Sequence, residues 1–240
     1  MPFDWLADTI LRSTPLWRDP AAIREELFSL ERLESHARSL AAAQPVAAGP
    51  RSGRPLDRRL AENQQRLVAA FKTLGAAAAA REEVTPAAQW LLDNFHLVEE
   101  QVREIRRDLP RSYYRQLPKL ISGPFDGLPR VFGIAWAFVA HTDSRFEAGA
   151  LLRFVAAYQA VQPLSIGELW AVAITLRLVL IENLRRIADR LVSSREARLA
   201  ADQLADRLLG AYGRAPEPAE GVLAAEDTPC LLYTSDAADE

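Results

Sequence analysis

The sequence predicts an all-α fold, an irregular multi-helix bundle around a buried central helix at about residues 165–192. Three observations predict it. The stretch SIGELWAVAITLRLVLIENLRRIADRLV opens with a capping box, Ser165 at the N-cap and Glu168 at N3, with Leu164 and Leu169 placed as a hydrophobic staple. Its apolar residues then occupy every face of a 3.6-residue helix, where a surface helix would carry one stripe. Elsewhere apolar residues recur at spacings of three and four behind capping residues, and no alternating strand pattern, Asn-Gly hairpin or fixed repeat occurs.

Residues 1–18 form an N-terminal segment that lacks a basic region followed by an apolar one, so it does not read as a secretory signal. Asp19 and Pro20 supply a cap and a proline at N1, and Ile23, Leu27, Leu30, Leu33, Ala37 and Leu40 predict one amphipathic helix over 19–44. Residues 45–56 are linker in composition, with three prolines and two glycines between Pro45 and Pro55.

A helical domain follows over 57–210. Its first helix runs from about Asp57 to Leu74, with Leu60, Leu67, Phe71 and Leu74 on one side. Gly75 and the alanines 76–80 fit either an extension of that helix or a loose connection. Thr85 and Pro86 open the cleanest stripe in the chain, Leu91, Phe95, Val98, Val102, Ile105 and Leu109, which predicts one helix closed by Pro110. The prolines and glycines of 111–129 predict an ordered loop or short turns.

Residues 131–140 predict an apolar helix, and Ser144 with Glu147 a second capping box before a helix lined by Leu151, Leu152, Phe154, Val155, Tyr158 and Val161. After the central helix, 193–209 predicts a separate amphipathic helix with Gly210 as its C-cap. Residues 211–229 read as a linker rich in Pro, Glu and Ala. The final CLLYTSDAADE, 230–240, looks like translated adapter sequence and is set apart as a non-native tail.

At 240 residues and 49% hydrophobic, the chain can bury a sizeable core. Its net charge of -3 comes from the tail, where Asp236, Asp239 and Glu240 stand without a base; 29 acids face 29 bases before it. No nucleic-acid partner is expected from that balance. Cys230 is the sole cysteine, so neither a disulfide framework nor a thiolate metal site can be built. No apolar run reaches the roughly 18 residues a membrane span needs, since 169–181 is short and holds Arg177.

The candidates for chemistry are few. His141 and Asp143, two apart at a helix junction, could share a proton or could merely cap helix ends. His36, His96 and His141 fall on different elements, without a second ligand at i+3 or i+4. Glu168 and Glu182 stand fourteen residues apart, roughly 20 Å along a helix, too far for a glycosidase pair. Glu168 is explained by the capping box and Glu182 by pairing with Arg186. Arg177 calls for a carboxylate on another helix or an anion. Tyr113 and Tyr114, with Arg115 and Lys119, could form a sugar or phosphate platform, or could pin an irregular loop. Arg51, Arg54, Arg58 and Arg59 could face anionic lipid or simply water. Phosphate-cradling glycine loops, Gly-x-Ser-x-Gly and Asp-x-Asp motifs are absent, so catalytic, cofactor and metal residues are each assigned as none.

The segments LPRVFGIAWAFVAHTDSRF and YQAVQPLSIGELWA, within a longer stretch over 113–192, resemble the N-terminal region of the very large bacterial cyclic β-1,2-glucan synthases. REELFSLERLESHARSLAAAQ and NFHLVEEQVREIRRDLP also resemble it, so the likeness covers about residues 23–209. The resemblance implies a parent enzyme at the cytoplasmic face of the bacterial inner membrane that polymerises glucose from UDP-glucose, with a divalent metal. Its transferase and membrane domains would follow on the same polypeptide and be this module's partners. The matching segment carries none of the transferase's acidic motifs, so no catalytic residue transfers to any position. The expected function is a non-catalytic, cytosolic helical module; the alternatives are a free-standing helical adaptor and a small hydrolase or lyase using His141 and Asp143.

Overall fold

The computed structural model describes residues 19–47 and 53–213. The chain divides into two compact units, Met1–Glu196 and Ala197–Glu240. Among the described residues the elements are α1 (Leu30–Ala43), α2 (Leu56–Ala79), α3 (Pro86–Asp93), α4 (Phe95–Asp108), α5 (Arg111–Gln116), α6 (Arg130–His141), α7 (Ala148–Gln159) and α8 (Ile166–Gly213). The only sheet-like pairing among them is two isolated bridges, Val46 with Leu120 and Lys119 with Pro129. The fold is therefore an all-helical, multi-helix bundle.

In the first unit, α1 lies on α7 and on α6, α2 packs on α3 and α4, and α6 meets α7. All twelve residues of α6 are buried. In the middle of α8, Val172, Ile174, Leu176, Leu178, Val179 and Ile181 are buried too, but the first turn of the same apolar run is not, with Ile166, Leu169 and Trp170 exposed. The capping box at its start is formed: Glu168 N–H donates to Ser165 Oγ (3.3 Å), while Glu168 Oε2 accepts from Ser165 N–H (2.9 Å). Thr85 caps α3 with Pro86 behind it, and Ala88 N–H donates to its hydroxyl at 3.3 Å. In the second unit the described residues 197–210 are helical and exposed.

Several sequence expectations are corrected. The helix expected over 19–44 starts at Leu30, capped by Ser29. Residues 19–29 form an irregular strap instead, because tertiary acceptors take its backbone donors: Ile23 N–H goes to Asn183 Oδ1 (2.6 Å), Glu25 N–H to Ala140 O (2.9 Å) and Phe28 N–H to His141 O (3.2 Å). The presumed linker is partly paired, with Ala47 N–H on Lys119 O and Arg54 N–H on Gly127 O, both at 2.9 Å. The alanine run extends α2 to Ala79.

The single helix expected after Thr85 is broken at Asn94, whose side-chain amide donates to Trp90 O (2.8 Å) and closes α3. The loop at 111–129 begins with the short helix α5. No box forms at Ser144 and Glu147: Ser144 is left-handed (φ 63°), its hydroxyl accepts from Asn183 Nδ2 (2.8 Å), and α7 has no side-chain cap. The central helix does not stop at 192, and Gly210 does not cap a second one; Ser193 and Ser194 are tolerated inside one helix that reaches Gly213. Residues 1–18, the expected linker beyond Gly213 and the expected non-native tail over 230–240 lie outside the described residues.

Candidate functional site

Among the described residues α8 carries four buried charged side chains, Glu168, Glu182, Arg185 and Arg186, and the first is at its N-terminus. Arg130, at the start of the buried helix α6, forks onto Glu168 through Nε–Oε1 (2.5 Å) and Nη2–Oε2 (2.7 Å). Its remaining donors reach Gln162 Oε1 and Pro163 O, each at 2.8 Å. Both side chains are nearly inaccessible, 8% and 1% exposed. Burial alone would raise the Glu168 carboxyl, but the Arg130 fork and Ser165 outweigh it and hold it below its ordinary value.

Fourteen residues on, Glu182 is a hub. Its Oε1 accepts from Arg59 Nη2 (2.6 Å), Arg185 Nη2 (2.9 Å) and Arg186 Nε (2.9 Å), and its Oε2 from Arg59 Nε and Asn63 Nδ2, both at 2.8 Å. Burial pushes this carboxyl up, yet the Arg59 hydrogen bonds and three guanidinium charges bring it down to about 2. A carboxylate has about four acceptor sites, so the hub is saturated, and a base that weak abstracts protons poorly near neutrality. Arg186 also donates to Ala21 O (2.8 Å) and lies 4.9 Å over the Trp136 ring, which ties the strap and α6 to α8. The expected Glu182–Arg186 pair is present within a larger cluster.

Arg177, five residues earlier, donates through Nη1 to Glu104 Oε2 (3.1 Å) and Asp108 Oδ2 (3.4 Å) on α4. Its partners are thus carboxylates of another helix, at a half-exposed position. His141 and Asp143 take separate partners. His141 is buried, with Nδ1 on Glu26 O (2.8 Å) and Nε2 at 3.4 Å from Glu25 Oε2. Asp143, in a left-handed turn (φ 52°), faces solvent and Arg24 at 3.3 Å. His36, from a distant part of the sequence, stacks edge-on against His141 with ring centroids 4.6 Å apart, and Phe28 lies flat on His141 at 3.9 Å. Burial, then the neighbouring charge of His141, depresses His36 to about 4. His96 is exposed on α4.

Tyr113 OH donates to Gly167 O (2.5 Å) and Tyr114 OH to Arg54 O (2.5 Å), so both rings pin α5. Beneath Tyr114 lies Lys119, 1% exposed, its ammonium donating to Tyr114 O (2.5 Å) and Leu117 O (2.6 Å) and resting 4.2 Å from the Tyr114 ring. Burial depresses its pKa to about 8. Gly53 crosses here because a Cβ would meet Gly127 O and Lys119 Cε, each at 2.7 Å. The arginine group is dispersed: Arg58 pairs with Glu62 (3.1 Å) and Arg59 with Glu182. Arg51 lies outside the described residues.

Arg130 and Asn63 carry no expectation from the sequence, while Lys119 and Arg59 are expected there only on a ligand platform and in a basic patch, not at buried ion pairs or hydrogen bonds. Arg130 had a readable signal, a cation opening the most apolar helix among the described ones; Arg59 and Asn63 gain their roles from Glu182, more than a hundred residues along the chain, and Lys119 from the carbonyls of Tyr114 and Leu117 close by. Among the described residues no three carboxylate, imidazole or thiol groups converge as a metal site needs. The buried carboxylates are already saturated by guanidinium and amide donors, so this donor set does not fit a divalent metal. No described helix is long and apolar enough to cross a membrane.

No family model matches the chain. Over 189 residues, 78% of its length, it is 42% identical to the cyclic β-(1,2)-glucan synthase NdvB of Rhizobium meliloti (strain 1021). The chain spans 7% of the length of that curated relative. The region of likeness, a helical bundle crossed by buried arginine–carboxylate clusters, is homologous to the N-terminal part of a cyclic β-(1,2)-glucan synthase.

Proposed function

We propose that this chain is the non-catalytic N-terminal helical module of a cyclic β-1,2-glucan synthase, held at the cytoplasmic face of the inner membrane by the domains that follow it. The observation that carries the reading is the 42% identity over 189 residues. The side-chain chemistry agrees with it: Glu168, Glu182 and Arg177 are engaged within the fold, and His141 and Asp143 face different partners. UDP-glucose and a divalent metal belong to the downstream transferase in this reading. The module packs against that domain, and Ile166 and Trp170, 70% and 73% exposed one turn apart at the start of α8, offer it an apolar contact.

Sequencing the locus downstream of codon 225 tests the assignment. Membrane spans followed by a glycosyltransferase domain are the expected result; an unrelated reading frame would remove it in favour of a free-standing adaptor. The non-catalytic part is tested by incubating the purified chain with UDP-glucose and a divalent metal, where no glucan and no free UDP should form.

A further inference from the structure

We propose that a cleft between α2, α4, α5 and α8 binds an amphiphilic anion, one with a flexible hydrocarbon tail and a single phosphate or carboxylate head. The cleft holds about 920 Å³, within the range of small-molecule sites. Its floor is aliphatic: Leu56, Leu60, Ile105 and Leu178 are buried and present their side chains to it, with Leu109 half-buried beside them. Three guanidinium groups, Arg106, Arg111 and Arg115, stand on its lining, against one carboxylate, Asp57.

The polar groups decide the ligand class. Arg111 holds Asp57 through Nε (2.8 Å) and Nη2 (2.7 Å), so that carboxylate is neutralised and the lining keeps two further cations. Arg106 spends one nitrogen on Gln64 (2.7 Å), and Arg115, exposed on α5, makes no hydrogen bond or ion pair among the described residues. An anionic head therefore meets guanidinium donors suited to forked recognition. A base or sugar is poorly served, because the one aromatic on the lining, Tyr114, has its hydroxyl on Arg54 O and Lys119 against its ring. Aliphatic walls without a free stacking face suit a hydrocarbon chain.

Calorimetric titration of the full chain with dodecyl phosphate, kept below its micelle concentration, tests this. Saturable one-to-one binding is expected, at least tenfold tighter than that of dodecyl maltoside (same tail, neutral head) or inorganic phosphate. The exposed pair Arg111→Gln and Arg115→Gln should weaken it at least tenfold, while Arg198→Gln with Arg207→Gln leaves it unchanged. Absence of saturable binding, equal affinity for phosphate alone, or indifference to the first pair would each overturn the proposal. Sedimentation with phosphatidylglycerol vesicles separates the sources: capture lost in the first pair marks a bilayer headgroup, and failure of capture despite dodecyl phosphate binding marks a dispersed amphiphile.

Discussion

Two charged stations on α8 stand five residues apart and differ in what water can do for them. Glu182 is 2% exposed and receives hydrogen bonds from three arginines and an asparagine. Arg177 is 36% exposed and reaches two carboxylates that are themselves about a third exposed. When a partner is removed at Arg177, water replaces it. At Glu182 nothing replaces it, and three guanidinium groups, the buried Arg185 and Arg186 and the partly buried Arg59, are left crowded against one another. Burial, more than the number of pairs, sets what each station contributes.

The largest effect should follow Glu182→Gln, which keeps the shape and removes the charge. A loss of about 3–5 kcal/mol is expected in urea unfolding, or failure to fold at 37 °C. Next is the acid side of neutrality. His36 is neutral in the fold with its pKa at about 4, whereas the unfolded chain protonates near 6.5, so the unfolded state binds more protons between those values. Stability should fall by up to about 3 kcal/mol as the pH drops from 6.5 to 4, as measured by urea midpoints across that window. Arg32 and His141 face His36, with Glu25 behind His141, and His36→Phe should flatten the slope. The Glu182 contribution, by contrast, is present above pH 4.5 and is lost as the pH falls through about 2.

Glu168→Gln is intermediate, because Arg130 keeps its contacts to Gln162 and Pro163 and the cap can persist; about 2 kcal/mol is expected by thermal melting. Arg177→Ala is the smallest, under about 1 kcal/mol by the same method.

What the sequence made readable was local. The Ser165–Glu168 box and the Thr85–Pro86 start are written in neighbouring residues, and both formed. The break at Asn94 hid because the apolar spacing runs through it unchanged, while the strap over 19–29 hid because its acceptors, Asn183 and the carbonyls of Ala140 and His141, lie more than a hundred residues away. The same distance concealed the site. That Arg177 needed a carboxylate of another helix or an anion followed from its apolar surroundings, but Glu104 and Asp108 could only be found by folding α4 beside it. Glu182 was legible as half of one i+4 pair; Arg59 and Asn63, which complete the hub, come from α2.

The buried charges of α8 hold the fold together. Urea unfolding of Glu182→Gln beside Arg177→Ala, in one buffer at pH 7, tests it most directly. A loss at Glu182 at least threefold larger than at Arg177 is expected. Equal losses, or a Glu182→Gln chain as stable as the parent, would contradict it.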